Sequence, residues 1–93
     1  MTQQTIDRIR KFTEDRDWEQ IHTPANLAKS IAIEACELLE CFQWSDTEYD
    51  INHVSEELAD VLVYCRNMMD KLGLDEDEIV IRNRDHIEAK YPV

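Results

Sequence analysis

The feature that most restricts the fold of this chain is its shortage of glycine and proline. There is one glycine, Gly73, and there are two prolines, Pro24 and Pro92, among 93 residues. These residue types supply most turns and loops, so a chain this poor in them leaves little room for connections between short elements. Strand-like alternation is also absent. We therefore predict an all-α fold of a few long helices, in a single domain over residues 1–93.

Capping residues define where the predicted helices begin and end. The first helix should run over about residues 2–16, and a connection follows over residues 15–22. Thr23 followed by Pro24 predicts the start of the second helix, because a threonine side chain caps free amides and proline is tolerated at the first helical position. This helix should continue to about Phe42.

The second half of the chain contains two more predicted helices. Ser45 and Glu48 fit a capping box at the start of the third helix, with Asn52 as an alternative, later start. Gly73 ends this helix. The fourth helix is predicted over residues 75–90, with an aspartate as its cap.

Two acidic pairs stand out within the second and third helices. Glu34 and Glu37 form one pair, and Glu57 and Asp60 form the other. Residues three apart on a helix project from one side, so the four carboxylates can converge between the two helices. Bare carboxylates held together repel one another, and burying them without compensation is costly, so such a site requires a cation. Oxygen ligands alone favour a hard ion, Mg²⁺ or Mn²⁺.

The simpler interpretation of these acids is that they line the solvent-facing shoulders of two amphipathic helices. That is the usual position of glutamate in a helix. Two pairs that border the apolar stripes of consecutive helices in the same way favour the metal site instead. A non-catalytic acidic module for helical oligomerisation or regulation remains the alternative.

Charge and cysteine content exclude several other classes of protein. Ten basic residues against 21 acidic ones give a net charge of −11, which opposes binding to a nucleic-acid polymer or an anionic membrane. No apolar run approaches the about 20 residues needed to span a bilayer, and no signal peptide is recognisable, so we expect a cytoplasmic protein. Three cysteines without C-x-x-C spacing indicate neither a disulfide framework nor a zinc site.

Two tryptophans lie in predicted connections, where binding groups are common. Trp18 is in the charged segment between the first two helices, and Trp44 is in the turn after the first acidic pair. A planar ligand could stack between such rings. The alternative is that both tryptophans close the ends of a bundle. Phe12 and Phe42 are predicted to be core residues, and His22 is either a ligand contact or a local hydrogen-bonding group.

Several motifs together resemble the MazG-like all-α nucleoside triphosphate pyrophosphohydrolases, and most of all their dCTP pyrophosphatase branch. The motifs are Arg16-Asp-Trp-Glu-Gln, Glu34-x-x-Glu37, Phe42-Gln-Trp44, Glu56-Glu-Leu-Ala-Asp60 and Lys90-Tyr-Pro92. The resemblance implies a bundle of four helices assembled as a dimer or tetramer. It also implies Mg²⁺ and the hydrolysis of a nucleoside triphosphate, with dCTP as the leading substrate, to monophosphate and pyrophosphate.

The same resemblance implies roles for individual residues. The metal ligands would be Glu34, Glu37, Glu57 and Asp60. From the charge of the site itself we expect either Glu34 or Glu37 to activate the attacking water. Trp18 and Trp44 would contact the base. The further polar contacts to substrate would be His22, Asn26 and Tyr64.

Three positions depart from the family pattern. Relatives commonly carry lysine and asparagine in the last helix, where this sequence has Asn83 and Ile87, and Ile9 replaces a histidine of vertebrate dCTP-cleaving relatives. Three basic side chains are then left for phosphate contact: Arg82, Arg84 and Lys90.

Two further expectations come from the residues themselves. A ferritin-like di-iron site is disfavoured because neither acidic motif has a histidine at its third position. Ile33, Cys36 and Val63 lie off the main apolar stripes. A 93-residue monomer cannot cover this much apolar surface, so we expect a homodimer or homotetramer.

Overall fold

The computed structural model describes residues 1–93 and contains four α-helices and no strands. The helices are α1 (Gln3–Asp15), α2 (Pro24–Glu40), α3 (Ile51–Leu72) and α4 (Glu76–Lys90), and a short 3₁₀ turn (Trp18–Gln20) links α1 to α2. The predicted all-α fold and the number of helices are confirmed. None of these helices has the length and apolar character needed to cross a membrane.

Most of the predicted caps are present. The Thr23 hydroxyl accepts a hydrogen bond from the Asn26 amide at 3.1 Å, and the Asp75 carboxylate accepts one from the Glu78 amide at 3.0 Å. Gly73 follows α3 with a φ of 66°, the left-handed conformation that glycine adopts at low cost. The α2 helix ends at Glu40, two residues before the predicted end.

The start of the third helix differs from the capping-box prediction. The Ser45 hydroxyl does accept a hydrogen bond from the Glu48 amide at 2.9 Å, but this contact closes only a turn. The helix begins at Ile51, where the Asp50 carboxylate accepts a hydrogen bond from the Asn52 amide at 2.9 Å. The later of the two predicted starts is therefore the better one.

The α2 and α3 helices pack side by side and run antiparallel. Beside the connecting loop, the ring centroids of Phe42 and Tyr49 are 4.9 Å apart. Away from that loop, His22 precedes α2 and its ring centroid lies 6.4 Å from that of Tyr64 in α3. This arrangement sets the acidic pair of α2 against that of α3.

The core of the chain is small. Only four residues are buried, namely Ile6, Thr13, Leu27 and Arg66. The radius of gyration is 15.6 Å, whereas a compact domain of this length has about 12 Å. The chain by itself is therefore more open than a globular domain of its size.

The four helices do not close into the bundle that we predicted, because α4 contributes no buried residue. Three of its apolar side chains, Ile79, Val80 and Ile81, are consecutive and point in different directions around the helix. Such a helix has no single apolar stripe with which to join a bundle.

A buried arginine joins three helices through carboxylates. Arg66 of α3 donates hydrogen bonds to Asp70 at 2.9 Å and to Glu76, at the start of α4, at 3.2 Å. Arg10 of α1 donates two more to Asp70, at 2.8 and 2.9 Å. The pKa of Asp70 is lowered, chiefly by the hydrogen bond from Arg10. This network connects α1 to α3 where the apolar core is thin.

We expect Asp70→Asn to lower the free energy of unfolding by about 2 kcal/mol, because it removes the charge from the hydrogen bonds with Arg10 and Arg66 and leaves buried Arg66 with Glu76 as its one carboxylate partner. Urea denaturation followed by circular dichroism measures the change. Asp85→Asn on the exposed face of α4 is the matched control and should change it by less than about 0.5 kcal/mol. Equal stability of the two variants would show that the network does not hold α1.

Candidate functional site

Three glutamates form a cluster where α2 crosses α3. Glu34 and Glu37 come from α2 and Glu57 from α3, and one carboxylate oxygen of each lies within 4.8 Å of the others. All three side chains are half-buried. The sequence predicts a fourth member, Asp60, but this residue is exposed and lies outside the cluster, although its charge still acts on Glu34 and Glu57.

The proximity of these acids perturbs their titration. Burial, then a hydrogen bond that it can share with Glu37, and the charges of Glu37, Asp60 and Glu57 raise the pKa of Glu34 to about 7. The pKa of Glu57 is also raised, first by burial and then by Glu37, while His53 opposes the shift. The His53 Nε2 atom lies 3.4 Å from Glu57 Oε1. A positive charge placed among the carboxylates would offset both the burial and the like-charge repulsion that raise these two pKa values.

The cluster fits a divalent cation. The Oε2 atoms of Glu34 and Glu57 are both buried and have no hydrogen-bond partner. Buried carboxylate oxygens are normally paired, so two orphaned oxygens at one place indicate a missing positive ligand. The available donors are carboxylate oxygens, the type that hard cations prefer.

The titration of Glu34 predicts an unusual dependence of stability on pH. Between its ordinary pKa of 4.5 and its raised value of about 7, folded Glu34 keeps a proton that the unfolded chain has released. The free energy of unfolding of the metal-free protein should therefore fall as pH rises through this window. In the presence of EDTA, the melting temperature should fall more between pH 5.5 and 8 for the wild type than for Glu34→Gln. Identical slopes would contradict the raised pKa.

A cavity of about 420 Å³ lies beside the carboxylates, between α1, the 3₁₀ turn and α3. Four rings line it in sequence, with centroids 5.4 Å apart for Phe12 and Trp18, 6.4 Å for Trp18 and His22, and 6.4 Å for His22 and Tyr64. Asp60 lines the same cavity and so connects it to the glutamate cluster. The fold thus places an aromatic cavity beside a carboxylate cluster.

Several residues of this cavity were not predicted as site residues. Phe12 is not a core residue as expected, since its side chain is 46% exposed and forms part of the wall. The others that matter here are Arg8, Ile9, Thr13, Val63 and Asn67. Ile6, Ile9 and Phe12 are apolar and spaced three apart along the first helix. This spacing was the available signal, but periodicity alone does not distinguish a core face from a cavity wall.

The remaining predicted binding residues lie outside the cavity. Trp44 is 91% exposed and lines no part of it. The Asn26 side chain donates a hydrogen bond to the Ile21 carbonyl at 3.0 Å and so closes the turn before α2.

The α4 basic residues are exposed, and each has a neighbour within that part of the chain. Arg82 pairs with Glu78 at 3.3 Å, Arg84 donates to Asn83 at 2.6 Å, and the Lys90 Nζ atom is 5.5 Å from the centroid of the Tyr91 ring.

Comparison with known proteins gives consistent results. The model of the MazG-like family matches residues 29–93. The chain is 37% identical to dCTP pyrophosphatase 1 of Mus musculus over 96% of its length, and 34% identical to the Homo sapiens protein over 95%. It spans only 60% and 59% of those two proteins, respectively.

A solved structure is similar along almost its whole length. The crystal structure of a pyrophosphatase from Archaeoglobus fulgidus superimposes with a TM-score of 0.91 at 39% sequence identity. The match covers 97% of this chain and 91% of the archaeal one. The open arrangement of helices described above is therefore shared with a protein of nearly the same length.

Proposed function

Because the chain belongs to the MazG-like family, we propose that it hydrolyses nucleoside triphosphates to monophosphate and pyrophosphate with the help of Mg²⁺. Pyrimidine deoxynucleotides, with dCTP first, are the proposed substrates, in line with the names of the relatives. One observation carries this proposal. Asp60 lines the aromatic cavity and its charge acts on Glu34 and Glu57, so the glutamate cluster and the cavity adjoin each other.

The glutamate cluster would hold the metal. Glu34, Glu37 and Glu57 offer oxygens within 4.8 Å of one another. Asp60 lies outside this group, but its charge acts on Glu34 and Glu57, and we propose it as the fourth ligand. A triphosphate carries several negative charges and cannot approach these acids unless cations intervene. Bound Mg²⁺ supplies that neutralisation and polarises the phosphate oxygens, and Mn²⁺ is chemically equivalent here.

Glu34 or Glu37 would accept the proton from the attacking water. The water oxygen forms a bond to the α-phosphorus while the bond to the bridging oxygen breaks, and pyrophosphate leaves. Both glutamates lie in the cluster, where a carboxylate can act as the proton acceptor. Separate Gln variants at the two positions compare their contributions.

The aromatic cavity would bind the base. Trp18 and Tyr64 offer faces for stacking, and His22 lies between them. Arg8 is the basic side chain that lines this cavity, and it has no ion-pair partner within the chain. It is therefore better placed for a contact with substrate than the α4 residues, unless those come from another subunit.

The decisive test is the release of pyrophosphate from a panel of deoxynucleoside and ribonucleoside triphosphates, with Mg²⁺ and with EDTA. The proposal expects Mg²⁺-dependent release of one pyrophosphate for each monophosphate, with dCTP among the best substrates. Release of inorganic phosphate alone would indicate another reaction. No turnover of any nucleotide would favour the non-catalytic acidic module instead.

We also propose that the chain forms a homodimer or homotetramer. Its accessible surface of 7381 Å² exceeds the about 5,600 Å² of a compact 11.0 kDa monomer by about 1,800 Å². A standard interface buries about 800 Å² on each partner. Large apolar side chains are exposed on both central helices: Ile33 and Leu39 on α2, and Ile51, Leu58 and Leu62 on α3.

Light scattering at micromolar concentration should give about 22 or 44 kDa, because the exposed apolar faces of α2 and α3 are buried between copies. Leu58→Glu should shift the protein towards monomer, whereas Glu56→Lys, a charge change at a neighbouring exposed position, should not. A mass of about 11 kDa for the wild type would contradict this proposal.

An oligomer would also account for the isolated binding residues. Trp44 and the basic residues of α4 are exposed in one chain, so a partner chain could receive them beside its own cavity.

The three cysteines form no disulfide, which suits the reducing cytoplasm that we propose as the location.

A further inference from the structure

One cavity residue has a chemistry that its neighbours lack. Asn67 of α3 is half-buried and carries the only amide side chain that lines the aromatic cavity. It also lines an adjacent polar cavity of about 350 Å³. Its side chain makes no hydrogen bond within the chain, whereas the nearby Thr13 hydroxyl donates to the Ile9 carbonyl at 3.3 Å. The Asn67 amide thus has no hydrogen-bond partner in the chain, and its donor and acceptor remain for a ligand.

Asn67 lies on the same side of α3 as Asp60, two turns farther along the helix. Seven residues at 1.5 Å each place their Cα atoms about 10 Å apart along the axis. Tyr64 and Val63 line the cavity between them. A nucleotide whose phosphates are held at the carboxylates would therefore extend its base along this wall towards Asn67.

We propose that Asn67 reads the pyrimidine edge and accepts both 4-amino and 4-oxo bases. This inference rests on the proposed function. An amide presents an acceptor, Oδ1, and a donor, Nδ2, on one planar group. Because no hydrogen bond within the chain fixes the orientation of the amide, Oδ1 can accept from the amino group of cytosine, or Nδ2 can donate to the carbonyl of uracil or thymine. The Arg8 guanidinium also lines this cavity, but it only donates and cannot make this exchange.

The substitution Asn67→Asp separates the two abilities. A carboxylate keeps the acceptor and loses the donor, so contact with a 4-amino group is retained and contact with a 4-oxo group is lost. The added charge disfavours every triphosphate to a similar extent, so the informative quantity is the ratio of kcat/KM for dCTP to that for dUTP. We expect this ratio to rise by roughly 10-fold or more over the wild type, the scale of a lost base-edge hydrogen-bond pair.

Two further variants serve as controls. Asn67→Ala removes both groups and should lower kcat/KM for dCTP and dUTP by similar factors, which leaves their ratio close to its wild-type value. Asn52→Asp makes the same charge change on the exposed first turn of α3, 15 residues away. It should leave the ratio at its wild-type value. Melting temperatures of all variants confirm that each protein is folded.

Binding measurements make the result independent of turnover. The dissociation constants of dCMP and dUMP, followed by tryptophan fluorescence, should diverge in Asn67→Asp by a similar factor. An unchanged ratio in a folded Asn67→Asp protein, in kinetics or in binding, overturns the role of Asn67. A different outcome is that the wild type releases no pyrophosphate while Asn67→Asp still shows a changed preference between dCMP and dUMP. That pair of results would reject the proposed reaction and keep the role of Asn67.

Discussion

Glu34→Gln should lower the rate of pyrophosphate release by at least about 100-fold and leave the helical fold intact. The amide has nearly the shape of the carboxylate, so packing against α3 is preserved. Its neutral oxygen binds Mg²⁺ far less strongly, and loss of even indirect support for a metal costs about 10- to 100-fold in affinity or activity. Initial rates over a range of Mg²⁺ concentrations and Mg²⁺ titration by calorimetry measure the two effects.

Matched variants sharpen this test. Glu40→Gln on α2 and Glu56→Gln on α3 remove the same charge from exposed neighbouring positions outside the cluster and should retain nearly full activity. Asp60→Asn should also lose turnover if this residue joins the metal site when substrate is bound. Wild-type activity in Glu34→Gln would rule out the site, whereas wild-type activity in Asp60→Asn alone would limit it to the three clustered glutamates.

The metal-free Glu34→Gln protein should also melt above the wild type at pH 8. At that pH Glu34 is mainly ionised, because its pKa is raised only to about 7, and it faces Glu37 and Glu57 without a cation. Removing one of several crowded like charges relieves this repulsion. Saturating Mg²⁺ should reverse the order of the two melting temperatures, since only the wild type gains the full stabilisation from binding.

Trp18→Ala should lower kcat/KM for the preferred nucleotide by roughly 5- to 150-fold, which corresponds to the 1–3 kcal/mol of one base-stacking contact. Trp18 is 41% exposed and lines the cavity beside Phe12 and His22, so a ligand can reach its ring. Mg²⁺ affinity should hardly change, because the glutamate cluster is on other elements. Trp18→Phe should recover part of the activity, since it keeps an aromatic face.

The alternative role of Trp18 is to close the end of the helical assembly. In that case Trp18→Ala would leave a cavity and lower the melting temperature, with nearly normal kcat/KM below the melting transition. Trp44→Ala offers a second comparison. Its ring is 91% exposed within one chain, so a fall in kcat/KM without a fall in melting temperature would show that Trp44 reaches the site of a partner subunit.

Local sequence signals predicted the helices well because each signal acts within a few residues. The caps at Thr23 and Asp75 bond amides three residues ahead, and Gly73 ends α3 through its own backbone conformation. The signal at Ser45 failed for the same reason. A serine bonded to the amide three residues on looks identical in a turn and in a helix, and only the wider packing, including the Phe42–Tyr49 contact, determines which forms.

The composition of the acidic cluster was only partly predictable. Spacing within each helix correctly grouped Glu34 with Glu37, and antiparallel packing brings Glu57 to them. Asp60 follows Glu57 at the spacing that separates Glu37 from Glu34, yet it lies outside the cluster and lines the aromatic cavity. Spacing within a helix therefore does not distinguish the two pairs. The sequence specifies the pairs, and the crossing of α2 and α3 selects which members meet.

The aromatic cavity and the buried arginine depend on contacts between residues that are far apart in the chain. Arg10 meets Asp70 across 60 positions, and Trp18 shares a cavity with Asn67. Periodicity identifies the apolar face of each helix, but it does not say which helix covers that face or which face stays open. The sequence alone therefore determined the all-α fold, the caps and the acidic pairs. Only the packing of α1 on α3 decided that Phe12 and Trp18 line a cavity and that Arg66 is buried, because those environments arise from long-range contact.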